Sequence, residues 1–356
     1  MNHNNIPDNK GSFVLRIAAL VVACAASWSF SQVALPSGVV VPKEKFVVYI
    51  MIGHSNMVGR DPELDTVPDP HAWNFFITDC CQDIPDHTWV PARDCIHMDF
   101  AGAGDGPSMH FLKKMAAEFP GYYFGVVNNA NSGVQCRANY LKGNGAGSLD
   151  LFAEMMQALD LIKGNVTFGG IVCMLGVPEA VNAPESVCRS FSSDIALMVQ
   201  EFRDTLGLPQ LPFLIGSFER DGPAIASQAP YWQIVDSQTN LVPSKVAISG
   251  IVPSDSLVYF DRWHYTYASY EIWTQRAVDT IEARHWYPAG AVNAVAPSPH
   301  AAHSTGMRHC NAAFLATDAL GRRAIALFSA VPNSPTASER LRRILFANTM
   351  KMITAY

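Results

Sequence analysis

Five apolar, β-rich runs recur along the chain: residues 46–52 (FVVYIMI), 122–127 (YYFGVV), 170–175 (GIVCML), 211–215 (LPFLI) and 246–251 (VAISGI). Continuous apolar runs of this length suit strands buried on both faces, as in a parallel sheet. Three helical stripes lie between them. Leu112, Met115, Ala116 and Phe119 share one face; so do Phe152, Met155, Met156 and Leu159, with Ser148 as N-cap and Gly164 as stop. Phe191, Ile195, Met198, Val199 and Phe202 form the third stripe, read as core packing. Strand–helix alternation implies a doubly wound, three-layer α/β sandwich around a mostly parallel five-stranded sheet. Right-handed crossovers put the functional loops at the carboxyl ends of its strands.

The composition agrees. Of 356 residues, 49% are hydrophobic and 16% charged, a balance that excludes a mainly disordered chain. The formal net charge is -6 and no basic stripe is present, which argues against a nucleic-acid partner.

The first 16 residues are polar and hold Lys10 and Arg16; residues 17–28 (IAALVVACAASW) are apolar and small. That run is shorter than the roughly 20 residues of a membrane span. It reads as a secretory signal peptide over residues 1–31, cleaved between Ala26 and Gln32. A buried N-terminal helix is the alternative. Val21-Val22-Ala23-Cys24 also resembles a bacterial lipobox, which would attach the chain to a membrane through a lipidated Cys24. The expected destination is therefore the outside, surface or periplasm of a bacterium, with a lipoprotein as second choice. Export permits disulfides. Cys80 or Cys81 with Cys95 can close a loop, but sequence does not fix the pairing.

Residues 61–106 form a long excursion rich in Pro, Asp and His, of the kind that shapes a binding cleft. His71, His87, His97 and His110 scatter through it without metal-ligand spacing. Trp73, Trp89, Trp263 and Tyr265 can form a sugar platform or fill a core. Residues 289–306 read as a linker. The tail, 307–356, carries a strand–turn–strand pattern over 314–327 with Gly321 at the turn.

The first strand runs directly into Gly53-His54-Ser55-Asn56-Met57-Val58-Gly59. A serine there can sit exposed on a tight strand-to-helix turn, where helix N–H groups face a developing negative charge. A serine hydroxyl needs a base to take its proton, and an imidazole held by a carboxylate is the usual one. Asp261-Arg262-Trp263-His264 lies after the last strand run and before a helical stretch over 267–283. Asp and His three apart on one turn can hydrogen-bond. The doubly wound order brings that turn to the same sheet edge as Ser55. Taken singly, Ser55 also suits a helix cap, His264 a satisfied core histidine, and Gly133 a plain turn.

The 53–59 block resembles the Gly-Gln-Ser-Asn-Met-x-Gly nucleophile block of carbohydrate O-acetylesterases in the SGNH hydrolase superfamily. That group includes sialate O-acetylesterase-like and acetylxylan esterase-like proteins. The likeness extends over about residues 45–287 and takes in Gly106-Pro107 with the helix that follows. It also takes in Ala130-Asn131-Ser132-Gly133 and the Asp261-x-x-His264 block. It implies a flavodoxin-like SGNH fold and a cofactor-free, metal-free esterase acting on O-acetylated carbohydrate. Ser55 would be nucleophile, His264 base and Asp261 its orienting partner, with Ser55 and Gly133 N–H groups as oxyanion donors. His54 and Asn56 would lie at the substrate, and Glu179, on the family's acidic position, would either touch substrate or brace the loop. The tail's Asp318-Ala319-Leu320-Gly321-Arg322 faintly resembles a bacterial secretion-sorting element.

The sequence departs from the family at two places. His54 stands where Gln is usual. Residues 173–180 (CMLGVPEA) replace Trp-x-Gln-Gly-Glu-x-Asp-Ala, so Leu175 takes the place of a side-chain oxyanion donor. His54 or Asn182 could supply that donor from another direction. A weakened, glycan-binding homologue and an esterase for another acyl group, such as feruloyl, are the alternative functions.

Overall fold

A computed structural model describes residues 32–77, 85–96, 103–145 and 149–287, together with the backbone of 311–317 and 323–329. The signal-peptide segment, Cys24, Cys80, Cys81, His97, Ser148 and the 289–306 linker lie outside those residues. Contacts divide the chain into Met1–Val295 and Ala296–Tyr356.

The first unit opens with a small hairpin, β1 (Gln32–Ala34) and β2 (Val40–Pro42). Seven further strands follow: β3 (Phe46–Gly53), β4 (Ala72–Phe76), β5 (Thr88–Pro91), β6 (Tyr123–Ala130), β7 (Thr167–Met174), β8 (Phe213–Gly216) and β9 (Ser249–Val252). They form one sheet in the order β5-β4-β6-β3-β7-β8-β9. All pairs are parallel except the edge pair β4–β5.

The five apolar runs become β3, β6, β7, β8 and β9. The sheet has seven strands rather than five because the 61–106 excursion adds β4 and the antiparallel edge strand β5. Antiparallel edges on parallel sheets are common.

β3 is central and buried at every residue. Phe46, Val48, Ile50 and Ile52 join one hydrophobic layer, whereas Val47, Tyr49 and Met51 join the other. This two-faced burial is why the run is continuously apolar. Each fully buried aliphatic side chain contributes roughly 1.5–3 kcal/mol.

The helices are α1 (Ser55–Val58), α2 (Pro107–Glu118), α3 (Leu151–Ile162), α4 (Val177–Asn182), α5 (Glu185–Leu206), α6 (Ile225–Gln228), α7 (Trp232–Lys245) and α8 (Tyr267–Ala283). Buried residues of α2 and α8 pack in the layer with Val47 and Tyr49; those of α3, α5 and α7 pack in the layer with Val48 and Ile50. The result is the three-layer sandwich. Asp150 caps α3, its side chain accepting the Ala153 N–H at 2.9 Å. Gly207 ends α5 in a left-handed conformation, φ 68°.

In the second unit, β10 (Asn311–Thr317) pairs antiparallel with β11 (Arg323–Ser329), from Asn311↔Ser329 to Thr317↔Arg323. Cys95, Cys136, Cys173 and Cys188 are free thiols.

Candidate active site

Ser55 begins α1 at the carboxyl end of the central strand. The turn is tight because both flanking glycines are pressed against backbone. A Cβ on Gly53 would lie 2.5 Å from the Met174 carbonyl oxygen and 2.8 Å from Met57 Cβ; one on Gly59, at φ 97°, would collide with the Asp105 carbonyl. Ladder-like bonds continue past the strand end. His54 N–H donates to Met174 O at 2.9 Å, and Asn131 N–H donates to Gly53 O at 3.1 Å. The Tyr140 hydroxyl accepts from Gly53 N–H at 3.1 Å and donates toward Asn129 O at 2.6 Å. These contacts fix β3, β6 and β7 together where the functional loops leave.

The structure brings Ser55, His264 and Asp261 together. Ser55 Oγ is 2.9 Å from His264 Nε2, and His264 Nδ1 is 2.7 Å from Asp261 Oδ2. Asp261 Oδ1 accepts the backbone N–H groups of Trp263 (2.7 Å) and His264 (2.8 Å). Burial raises the Asp261 carboxyl, but these hydrogen bonds outweigh it and hold it below the usual carboxylate range. An ionised Asp261 accepts from Nδ1–H, which leaves Nε2 as the acceptor facing Ser55. That arrangement can take a proton from the serine hydroxyl. Phe260, 42% exposed, lies beside the imidazole at 6.1 Å between ring centroids.

Gly133 sits in the exposed turn after β6 at φ 74°, with open space where a Cβ would point. Arg60, just past α1, reaches across to hydrogen-bond the Ser132 hydroxyl and so ties the Ser55 turn to the Gly133 loop.

A model of the carbohydrate esterase, sialic acid-specific acetylesterase family matches residues 45–282. The chain belongs to this family. It is a carboxylic ester hydrolase of the carbohydrate acetylesterase type. Among solved structures, a protein from Arabidopsis thaliana aligns with TM-score 0.55 and 17% identity, covering 67% of this chain and 98% of that one. NanS aligns with TM-score 0.53 and 14% identity, covering 68% and 98%. These likenesses establish the fold. No curated protein matches the chain.

Within this acetylesterase, His54, Asn56 and Glu179 are all buried. Asn56 is 1% exposed and fully engaged. Its Nδ2 donates to Glu219 Oε2 (2.5 Å) and Trp263 O (3.0 Å); its Oδ1 accepts from Tyr265 N–H (3.2 Å) and the Tyr270 hydroxyl (3.0 Å). His54 is 2% exposed. Its Nδ1 accepts the Asn56 N–H at 3.3 Å, and its Nε2 is 3.4 Å from Glu219 Oε1. Burial, with the charge of His264 adding to it, pushes this imidazole down to about 3.

Glu179 is likewise 1% exposed; its Oε1 accepts the Cys136 N–H at 2.6 Å and braces the turn after β6. Burial raises its carboxyl to about 7 against that bond. All three commit polar atoms to hydrogen bonds within and between the turns.

Leu175 is buried in the apolar layer and has no side-chain donor, and His54 is engaged by Asn56 and Glu219. Asn182 is exposed at the end of α4. Trp73, Trp89 and Tyr265 belong to the core rather than to a sugar platform, whereas Trp263 is half-buried beside His264.

Glu219 and Tyr140 are functional-site neighbours that no sequence motif marked. A cavity of about 430 Å³ lined by Asn74, Phe76, Val90 and Cys95 lies at the β4–β5 edge and takes in none of Ser55, His264 or Asp261. Among the described residues, no group of three His, Cys, Asp or Glu could hold a metal. No described helix is long and apolar enough to cross a membrane.

Proposed function

We propose that the protein is an exported serine esterase that removes O-acetyl groups from a carbohydrate, either a plant polysaccharide or a sialic-acid-type sugar. The observation that carries this reading is the unbroken hydrogen-bond line from Ser55 Oγ through His264 to Asp261. Ser55 Oγ attacks the acetyl carbonyl carbon while His264 Nε2 takes its proton. The oxyanion rests on the N–H groups of Ser55 and Gly133. Collapse breaks the ester bond, and the imidazolium returns its proton to the departing sugar oxygen. Water then attacks acetyl-Ser55, giving a proton to His264. Acetate leaves and Ser55 Oγ recovers that proton. Export is supported by Lys10 and Arg16 ahead of the apolar 17–28 run. The test is hydrolysis of an acetylated chromogenic ester: Ser55→Ala abolishes it if the reading is right, and wild-type activity in that variant refutes it.

A second reading is favoured by Leu175. With no side-chain donor at that position, the oxyanion has one partner fewer, worth roughly 100- to 1000-fold in rate. The chain would then be a non-catalytic or barely catalytic glycan-binding protein that kept the fold. Measurable polysaccharide binding together with no covalent labelling by a serine-directed phosphonate would select this reading over the first.

A further inference from the structure

The Ser55 turn and the Asp261–His264 turn meet over one buried carboxyl group. Glu219, 6% exposed, lies in the loop after β8. Its carbonyl oxygen is tied back by Gly222 N–H at 3.1 Å. Its two carboxyl oxygens face the residues on either side of Ser55: Oε2 accepts from Asn56 Nδ2 at 2.5 Å, and Oε1 stands 3.4 Å from His54 Nε2.

The hydrogen-bond directions are mutually constrained. His54 Nδ1 accepts the Asn56 N–H, so the proton of the neutral ring sits on Nε2 and points at Glu219. Glu219 Oε2 accepts the Asn56 amide and Oε1 faces the His54 N–H at 3.4 Å, an arrangement that suits the ionised carboxylate; burial pushes that carboxyl up to about 8 against the Asn56 bond. Asn56 is oriented by the same logic. Turned over, its Oδ1 would face the Glu219 carboxyl and the Trp263 carbonyl, and its Nδ2 would face Tyr265 N–H. Glu219 thus joins Trp263 O and Tyr265 N–H in setting which way the Asn56 amide points. Asn56 in turn grips the peptide groups on both sides of His264.

We propose that Glu219 is a positioning residue which, paired with His54 and Asn56, holds the Ser55 hydroxyl and the His264 ring at reacting distance. The proposal rests on the Ser55–His264 reading above. His54 Nε2 and Glu219 Oε1 face each other at 3.4 Å, so a change at one is expected to be compensated by a complementary change at the other.

The test compares wild type with Glu219→Gln, His54→Gln and the double variant. The readouts are kcat and KM on 4-nitrophenyl acetate, the rate of phosphonate labelling at Ser55, and the thermal midpoint. Displacement of reacting groups by about 1 Å costs on the order of 100-fold. Glu219→Gln sets an amide N–H against either the His54 N–H or Asn56 Nδ2. It is expected to lower kcat and labelling by roughly 30- to 100-fold, with KM within about twofold of wild type. The double variant pairs two amides donor to acceptor and is expected to return within about tenfold of wild type.

Wild-type kcat and labelling in Glu219→Gln, or losses that multiply in the double variant, would overturn the proposal. Should Glu219→Gln fail to fold, Glu219→Asp, which keeps both acceptors but shortens their reach, is read in the same way. Wild-type protein that takes no label at Ser55 overturns the triad reading, and this proposal with it. Normal wild-type labelling with an insensitive Glu219→Gln overturns this proposal alone.

Discussion

The Asn56 side chain donates to the backbone carbonyl of Trp263 at 3.0 Å, which places the residue after Ser55 in direct control of the residue before His264. Two turns distant in sequence are thus locked through one amide. Asn56→Asp keeps the shape but replaces donors with acceptors facing Glu219 and Trp263 O. A buried polar group left without its partner costs about 1–3 kcal/mol. The expected result is a lower denaturation midpoint and a kcat reduced by roughly 100-fold with KM nearly unchanged, measured by steady-state kinetics beside thermal melts.

Leu175→Gln tests the missing donor. Restoring an amide beside β3 should raise kcat on acetyl esters by about tenfold or more. It should also lower the thermal midpoint, because an apolar contact is replaced by a buried polar group. Unchanged or reduced turnover in a folded variant would show that the oxyanion does not face this position.

Glu179→Gln separates a brace from a substrate contact. The amide oxygen can still accept the Cys136 N–H, so KM for any acetylated sugar should stay within about twofold of wild type. Stability should change with pH in a set direction. The folded carboxyl, at about 7, lies above the unfolded value of 4.5, so the folded state holds more protons between those two values. Wild-type stability therefore falls as pH rises through that window. The variant lacks this fall and should melt higher at pH 8 than wild type, with the difference shrinking toward pH 4.

Asp94 and Asp105 make a comparable prediction away from the triad. Burial pushes Asp94 to about 9 and Asp105 to about 8; Asp94 keeps a proton that it shares with Asp105 and accepts the Asp65 N–H at 2.8 Å. Both folded values lie above the unfolded 3.8, so stability declines from about pH 4 upward. Asp94→Asn, with an N–H in place of the shared proton, should raise the thermal midpoint at pH 8 by several degrees, each 1 kcal/mol shifting it roughly 2–4 °C. No gain at alkaline pH would mean that the pair is ionised at little cost.

The sheet was legible where burial on both faces writes an unbroken apolar run, as in β3. β4 and β5 escaped because AWNFF and TWVP are short and carry Asn74 and Pro91. Proline is tolerated at a strand end on a sheet edge, and Asn74 donates to Ile96 O at 3.1 Å instead of facing solvent. The Asp261–His264 contact was legible because it is local, and strand order then brought it to Ser55. Glu219 was not, since a lone glutamate 163 residues from Asn56 carries no local pattern. His54, Asn56 and Glu179 show the limit of motif reading. A polar side chain next to a reacting group can face the ligand or the scaffold, and packing alone decides.

The most direct test is mass-spectrometric mapping of the adduct formed by a serine-directed phosphonate, with wild type, Ser55→Ala and His264→Ala compared. A single adduct on the Ser55 peptide is the expected result, absent in Ser55→Ala and formed at least about 1000-fold more slowly in His264→Ala. An adduct on another serine, or unchanged labelling without the imidazole, would contradict the account.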